Sequence, residues 1–139
     1  METQESRSYE VTLKVPFFDL DPMEIVWHGH YLKYFDIARA ELFDHLGVDL
    51  FDFHDRTHFI FPIIRSAVKH IHPLKRGDEF ACRATVKEAR AKIVVDFEIR
   101  LVGNGKLCAR GSTEQVAVRA PEMEMAYAIP EEISRALGF

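Results

Sequence analysis

The sequence predicts an α+β domain in which a long helix lies on a mainly antiparallel sheet. Apolar side chains at Tyr31, Leu32, Tyr34, Phe35, Ile37, Ala38, Leu42, Phe43 and Leu46 recur at the three-to-four spacing of one helical face. Tyr9, Val11, Leu13 and Val15 alternate with Glu10, Thr12 and Lys14, the period of a half-buried strand. Four further strand-like stretches follow the helix without another helix between them, which excludes alternating strand–helix–strand units.

After the first strand comes a turn-rich segment from Phe17 to Gly29, then the helix from about Tyr31 to Leu46, with Gly47 as its stop. The later strands fit Pro62 to Ile71, Glu79 to Ala89, Lys92 to Val102 and Lys106 to Arg119. They are divided by Pro73-to-Asp78, Arg90-Ala91 and Gly103-Asn104-Gly105, the last a strong hairpin turn because Asn and Gly accept positive φ. Pro130 to Leu137 reads as a short terminal helix with Pro at its start and Gly138 behind it. Residues 1–139 read as a single domain, with 1–8 expected to be flexible.

A chain of 139 residues, 47% hydrophobic and 29% charged, is long enough for one proper core and too short for two. The net charge of −4 argues against bulk attraction to nucleic acid. No basic start followed by an apolar stretch is present, and the longest strongly apolar run, Phe59 to Ile64, is too short to span a bilayer; the expectation is a cytoplasmic protein with no membrane association. Cys82 and Cys108 sit in strand-like segments outside any Cys-x-x-Cys pattern and read as reduced core residues. Paired histidines at His28-x-His30, His54-x-x-x-His58 and His70-x-His72 lack a Cys pair or a His-Glu-x-x-His helix, so no metal is expected. No Gly-x-Ser-x-Gly elbow exists for a serine nucleophile.

The segment Asp19-Leu20-Asp21-Pro22-Met23-Glu24-Ile25-Val26-Trp27-His28-Gly29-His30-Tyr31-Leu32 is the most informative part of the chain, because it sets carboxylates beside a helix start. A helix N-terminus offers unpaired N–H groups and partial positive charge, which stabilise an oxygen that becomes negative during acyl transfer. A carboxylate there can attack a carbonyl or direct water. The plainer reading of Asp-x-Asp-Pro is that both acids only cap local turns.

These residues, with Ala38-Arg39-Ala40-Glu41 on the helix, resemble the 4-hydroxybenzoyl-CoA thioesterase-like family of the hot-dog fold. Its signature runs Asp-x-Asp-x-x-Gly-(Val/Ile)-Val-(Tyr/Trp)-His-x-x-Tyr-Leu into an aromatic helix. His72-Pro73-Leu74-Lys75-Arg76-Gly77-Asp78-Glu79 looks like the family's Pro-x-x-x-Gly-Asp turn, and Ala109 to Val116 like its last long strand, so the likeness runs from roughly Tyr9 to Arg119. The family usually carries Gly where this chain has Glu24, and Asn or a small residue where it has His30. Glu24 puts the turn in question, since Glu resists the positive φ that Gly accepts.

The resemblance implies a curved sheet wrapped around the helix, with the helix buried over most of its circumference. It also implies an acyl-CoA thioesterase that needs no cofactor. Asp21 would act as nucleophile or general base, with the backbone N–H groups near His28 and Gly29 as the oxyanion site. Substrate would be held by Tyr31 and by Arg90 and Lys92, the two residues singled out from a local basic excess between Lys75 and Lys92. A homodimer or a homotetramer built from dimers would bring residues near Phe59 to Arg65 against the partner's site. Phe17, Phe18, Trp27, Tyr31, Phe35, Phe59 and Phe61 form either core or acyl pocket. A non-catalytic acyl-CoA binding module of the same fold remains the alternative, distinguished by having no need of Asp21. A dehydratase of this fold fits less well, since Glu41 lacks the rest of that pattern.

Overall fold

The computed structural model describes residue 3 and residues 5–139. Its elements are β1 (Ser8–Lys14), α1 (His30–His45), α2 (Leu50–Thr57), β2 (Phe59–Ile60), β3 (Ile63–His70), β4 (Glu79–Glu88), β5 (Ile93–Leu101), β6 (Leu107–Gln115), β7 (Val118–Arg119), β8 (Glu124–Met125) and α3 (Glu131–Ala136). Five strands form an antiparallel sheet in the order β1-β4-β5-β6-β3, and β2, β7 and β8 form a small second sheet. This is the hot-dog arrangement, α+β with α1 packed on an antiparallel sheet.

Strand alternation decides which side chains meet the helix. On β5, Ile93, Val95, Phe97 and Ile99 are buried while Val94, Asp96 and Glu98 are only half-buried on the other face. Phe35 of α1 stacks on Phe97 with ring centroids 4.4 Å apart. Full burial of a side chain of this size contributes about 1.5–3 kcal/mol. Gly111 of β6 makes that approach possible, because a Cβ there would lie 2.2 Å from the Phe35 ring.

Four expectations need correction. The helix buries one face, Tyr31, Tyr34, Phe35, Ala38, Leu42 and Phe43, and leaves Leu32 and Ile37 exposed, so it is not enclosed over most of its circumference. A second helix, α2, follows it, capped by the Asp49 side chain accepting from the Asp52 N–H at 3.0 Å. The expected strand from Lys106 to Arg119 is two, β6 and β7, because the chain leaves the main sheet after Gln115 to pair with β2. Within the segment expected to be flexible, Glu5–Arg7 form a 3₁₀ turn and Ser8 opens β1, its hydroxyl 2.8 Å from that of Thr85; residues 1, 2 and 4 lie outside the described residues.

Both cysteines are buried, as expected, and desolvation pushes the Cys82 thiol up to about 12, which removes it as a nucleophile. Among the described residues no helix is long and apolar enough to cross a membrane.

Candidate active site

The segment between β1 and α1 is held by backbone hydrogen bonds to its own ends and to the turn before β4. Trp27 N–H donates to Asp19 O at 3.0 Å, and Val26 N–H to Leu74 O at 2.9 Å. Asp21 N–H donates to Ile25 O at 2.8 Å, and Glu24 N–H to Asp21 O at 2.9 Å, closing a tight turn. Glu24 occupies that turn with φ 63, so this chain keeps the left-handed conformation without glycine. The departure at Glu24 leaves the turn standing and places a strained residue in it.

Asp19 and Asp21 have opposite surroundings. Asp19 is 1% exposed, with Lys33 Nζ donating to Oδ1 and Tyr34 OH to Oδ2, both at 2.6 Å, and His30 Nε2 3.8 Å away. Burial pushes its carboxyl up, but the hydrogen bonds from Lys33 and Tyr34 and the charges of Lys33 and His30 outweigh that and hold it below the ordinary carboxylate range. Tyr34 is pushed far up, first by burial and then by Asp19, and stays a proton donor. Asp19 is therefore a bolt between the loop and α1. The sequence pattern that would have shown this is Lys33-Tyr34 on the first turns of the helix, with Tyr34 on the same face as Tyr31.

Asp21 faces a pocket of about 300 Å³, lined by Asp21, Ile25, His28, Tyr31, His70 and His72 together with Met23, Val26, Ile71 and Pro73. One of its oxygens, Oδ1, accepts the Met23 N–H at 2.8 Å; the other has no hydrogen-bond partner among the described residues. The start of α1 abuts the same pocket through His28. Neither His28 N–H nor Gly29 N–H donates to an acceptor among the described residues. Gly29 lets the Trp27 ring lie close over the backbone there, since a Cβ would lie 2.2 Å from that ring. The pocket thus holds a carboxylate with one free oxygen, and the chain leading into α1 leaves two backbone N–H groups without acceptors among the described residues.

Tyr31 is 3% exposed; its hydroxyl accepts the Leu74 N–H at 3.2 Å, and burial lifts its phenol above the ordinary range. It serves core and pocket wall together. Phe35 and Phe61 are core, whereas Phe17 and Phe18 are 78% and 69% exposed, in neither of the two expected places. His28 and His70 ring centroids lie 6.4 Å apart, so two of the three histidine pairs meet at this pocket, yet among the described residues no three His, Cys, Asp or Glu side chains form a metal-binding group.

Arg90 and Lys92 lie elsewhere. In β5 and β6 the pair Ile93↔Gln115 marks their end of the sheet, and Ile99↔Ala109↔His70 marks the pocket's end. Six strand residues separate the two, about 20 Å at roughly 3.4 Å each. Lys92 Nζ is engaged by Glu114 Oε1 at 2.7 Å, while Arg90 sits 5.8 Å from the Phe139 ring and is exposed. The basic excess noted in the sequence is in part neutralised, since Arg83 also pairs with Glu5 at 2.7 Å.

The hot-dog scaffold and a matching family model together define the class of a thioester hydrolase. The chain belongs to the thioesterase-like superfamily, whose family model matches residues 15–137. It is 22% identical over 139 residues to a Synechocystis protein named as an esterase, sll0410, covering 99% of this chain and 82% of that one. Its fold matches Slr0204, a 1,4-dihydroxy-2-naphthoyl-CoA thioesterase from Synechocystis, with TM-score 0.85 at 21% identity, over 94% of this chain and 95% of that one. It also matches a 4-hydroxybenzoyl-CoA thioesterase mutant in complex with 4-hydroxybenzoyl-CoA, with TM-score 0.84 at 18% identity, over 95% and 99% of the two chains.

Proposed function

We propose that this protein hydrolyses the thioester of an acyl-CoA to the free acid and CoA. The observation that supports the reading is Asp21, one oxygen unengaged, in a pocket that His28 also lines, with the His28 and Gly29 N–H groups just ahead of α1 free of acceptors among the described residues. A thioester carbonyl oxygen set against those donors is polarised as it gains negative charge. Asp21 then adds to the carbonyl carbon or deprotonates water. A thiolate is a good leaving group, so no strong general acid is needed. The alternative, a binding module, has no use for the free carboxylate oxygen.

The reading extends to assembly. β3 is an outer strand of eight residues whose edge is unpaired in the described chain and which opens on Ile63 and Ile64, 42% and 57% exposed. Pairing of that edge with a second copy gives a homodimer. A tetramer of such dimers would bring an Arg90 turn from another subunit to a pocket that its own subunit's Arg90 turn lies far from, for the coenzyme's phosphates. A monomer mass by light scattering at micromolar concentration would overturn the assembly. Cytoplasmic placement belongs to the same reading, because acyl-CoA is its substrate.

The direct test is thiol release from a panel of short-chain, long-chain and aromatic acyl-CoAs. Turnover well above the uncatalysed rate on at least one is expected, and background rates on all with measurable binding would leave the binding module.

A further inference from the structure

The pocket holds a second base that the proposed reaction does not yet use. His70 is the exposed last residue of β3; Val68, two residues before it, packs against the core, and the His70 ring contacts Tyr31 of α1. Its ring meets Tyr31 edge-on, centroids 4.7 Å apart with 88° between the planes, and stands edge-on to His28 at 6.4 Å. Tyr31 is itself fixed by the Leu74 N–H. The imidazole thus stands against the Tyr31 ring in the wall of the cavity that Asp21 also lines.

We propose that His70 is the base that activates water in a two-step hydrolysis in which Asp21 is the nucleophile. This rests on the acyl-CoA reading above and divides between two residues the roles that reading leaves to Asp21 alone. In the first step an Asp21 oxygen adds to the thioester carbon, the C–S bond breaks, and CoA leaves as thiolate, giving an anhydride between the acyl group and Asp21. In the second, His70 takes a proton from water as the hydroxide adds to the anhydride carbonyl. The bond from that carbon to the Asp21 oxygen breaks, restoring the carboxylate and releasing the acid. The proton left on His70 balances the thiolate, so the sum is thioester plus water giving acid plus thiol.

Physical chemistry favours this division. A carboxylate is a weak base for water at neutral pH but a competent nucleophile toward a polarised carbonyl, whereas a neutral imidazole is suited to taking a proton from water. Desolvation first, and the charge of His28 second, hold His70 below the ordinary imidazole range, so it is neutral and able to accept a proton at pH 7. The titratable groups that line the pocket with it are Asp21 and His28 from the loop before α1, Tyr31 from the first turn of α1, and His72 from the turn that follows β3.

The test compares the parent, His70→Gln and His70→Ala by rapid-mixing assay of thiol release from the acyl-CoA of the panel that the parent turns over fastest. His70→Gln should release about one thiol per site in a fast burst and then turn over about a hundredfold more slowly than the parent, the scale of a lost general base. Free imidazole should restore part of the steady-state rate of His70→Ala but not that of His70→Gln, which still fills the space. Digestion of the burst-phase enzyme should yield an acylated Asp21 peptide. A fall in kcat without a burst, a rise in KM alone, or parental kinetics in both variants overturns the assignment. Absence of turnover in the parent sinks the acyl-CoA reading as well, so the two failures are told apart by the parental rate.

Discussion

Two residues apart in the chain, Asp19 and Asp21 occupy opposite physical situations. Asp19 is enclosed, with two hydrogen bonds at 2.6 Å and a pKa held low; Asp21 is half-exposed in a pocket wall, with one oxygen unengaged. A carboxylate whose lone pairs are consumed by Lys33 and Tyr34 anchors a helix but cannot attack anything. One held by a single N–H is positioned and still reactive. The inner half of the loop supplies the rigidity that the outer half uses.

Asp21→Asn should separate the two most strongly. Asn Oδ1 can still accept the Met23 N–H, so the urea midpoint should stay at the parental value while kcat falls roughly a hundredfold or more, the scale of a lost positioned base or nucleophile. A parental rate from Asp21→Asn would overturn the reading of the outer half.

Asp19→Asn should do the reverse. Asn cannot accept from both Lys33 and Tyr34, and charge-assisted bonds of this kind contribute about 1.5–3 kcal/mol, the upper part discounted because Lys33 is partly exposed. Denaturant titration should register the loss, with kcat of the folded protein changed only a few-fold. Since the folded carboxyl titrates below its unfolded value, its contribution is complete above the ordinary carboxylate range near about pH 4 and is lost as pH falls through the lower folded value. The gap in stability between parent and Asp19→Asn should therefore be constant near neutrality and close in acid. A gap that widened below about pH 4 would reverse the sign of the assigned shift.

The helix, the five long strands, both turn motifs and the place of Asp21 near the helix start were legible because each depends on local periodicity or a short motif. Tyr31 to Leu46 became His30–His45, and Glu79 to Ala89 became Glu79–Glu88. What was not legible depends on contacts between distant segments. α2 buries only Phe53, so its apolar signal is one residue deep. β7 looks like the tail of β6 until β2 draws it away. His70 reads as half of a metal-like pair until Tyr31, nearly forty residues earlier, is packed against it.

A smaller effect extends the comparison to the far end of the sheet. Arg90→Ala should raise KM for acyl-CoA several-fold with kcat little changed, and leave a truncated substrate without the nucleotide unaffected, as expected for an exposed phosphate contact. Lys92→Ala should do less, because Lys92 already serves Glu114, whose carboxyl it holds low. Equal losses on the full and truncated substrates would make both residues structural.

The smallest expected effect isolates the turn itself. Glu24 holds φ 63, a conformation that costs a residue with a Cβ about 1 kcal/mol and costs glycine nothing; glycine loses part of that gain to the greater freedom of its unfolded chain. Glu24→Gly should therefore stabilise the protein by only about 0.5 kcal/mol, seen as a higher urea midpoint with an unchanged slope. The ion pair it forfeits, Glu24 with Arg76 at 3.7 Å, joins two largely exposed groups and counts for little. Glu24→Gln is the control: it keeps the backbone cost, drops the charge and should leave the midpoint unmoved. Both variants should hydrolyse acyl-CoA within about twofold of the parent, since neither touches Asp21 or the open N–H groups. A Glu24→Gly protein less stable than Glu24→Gln would mean that the Glu24 side chain, and not its backbone angle, is what the turn depends on.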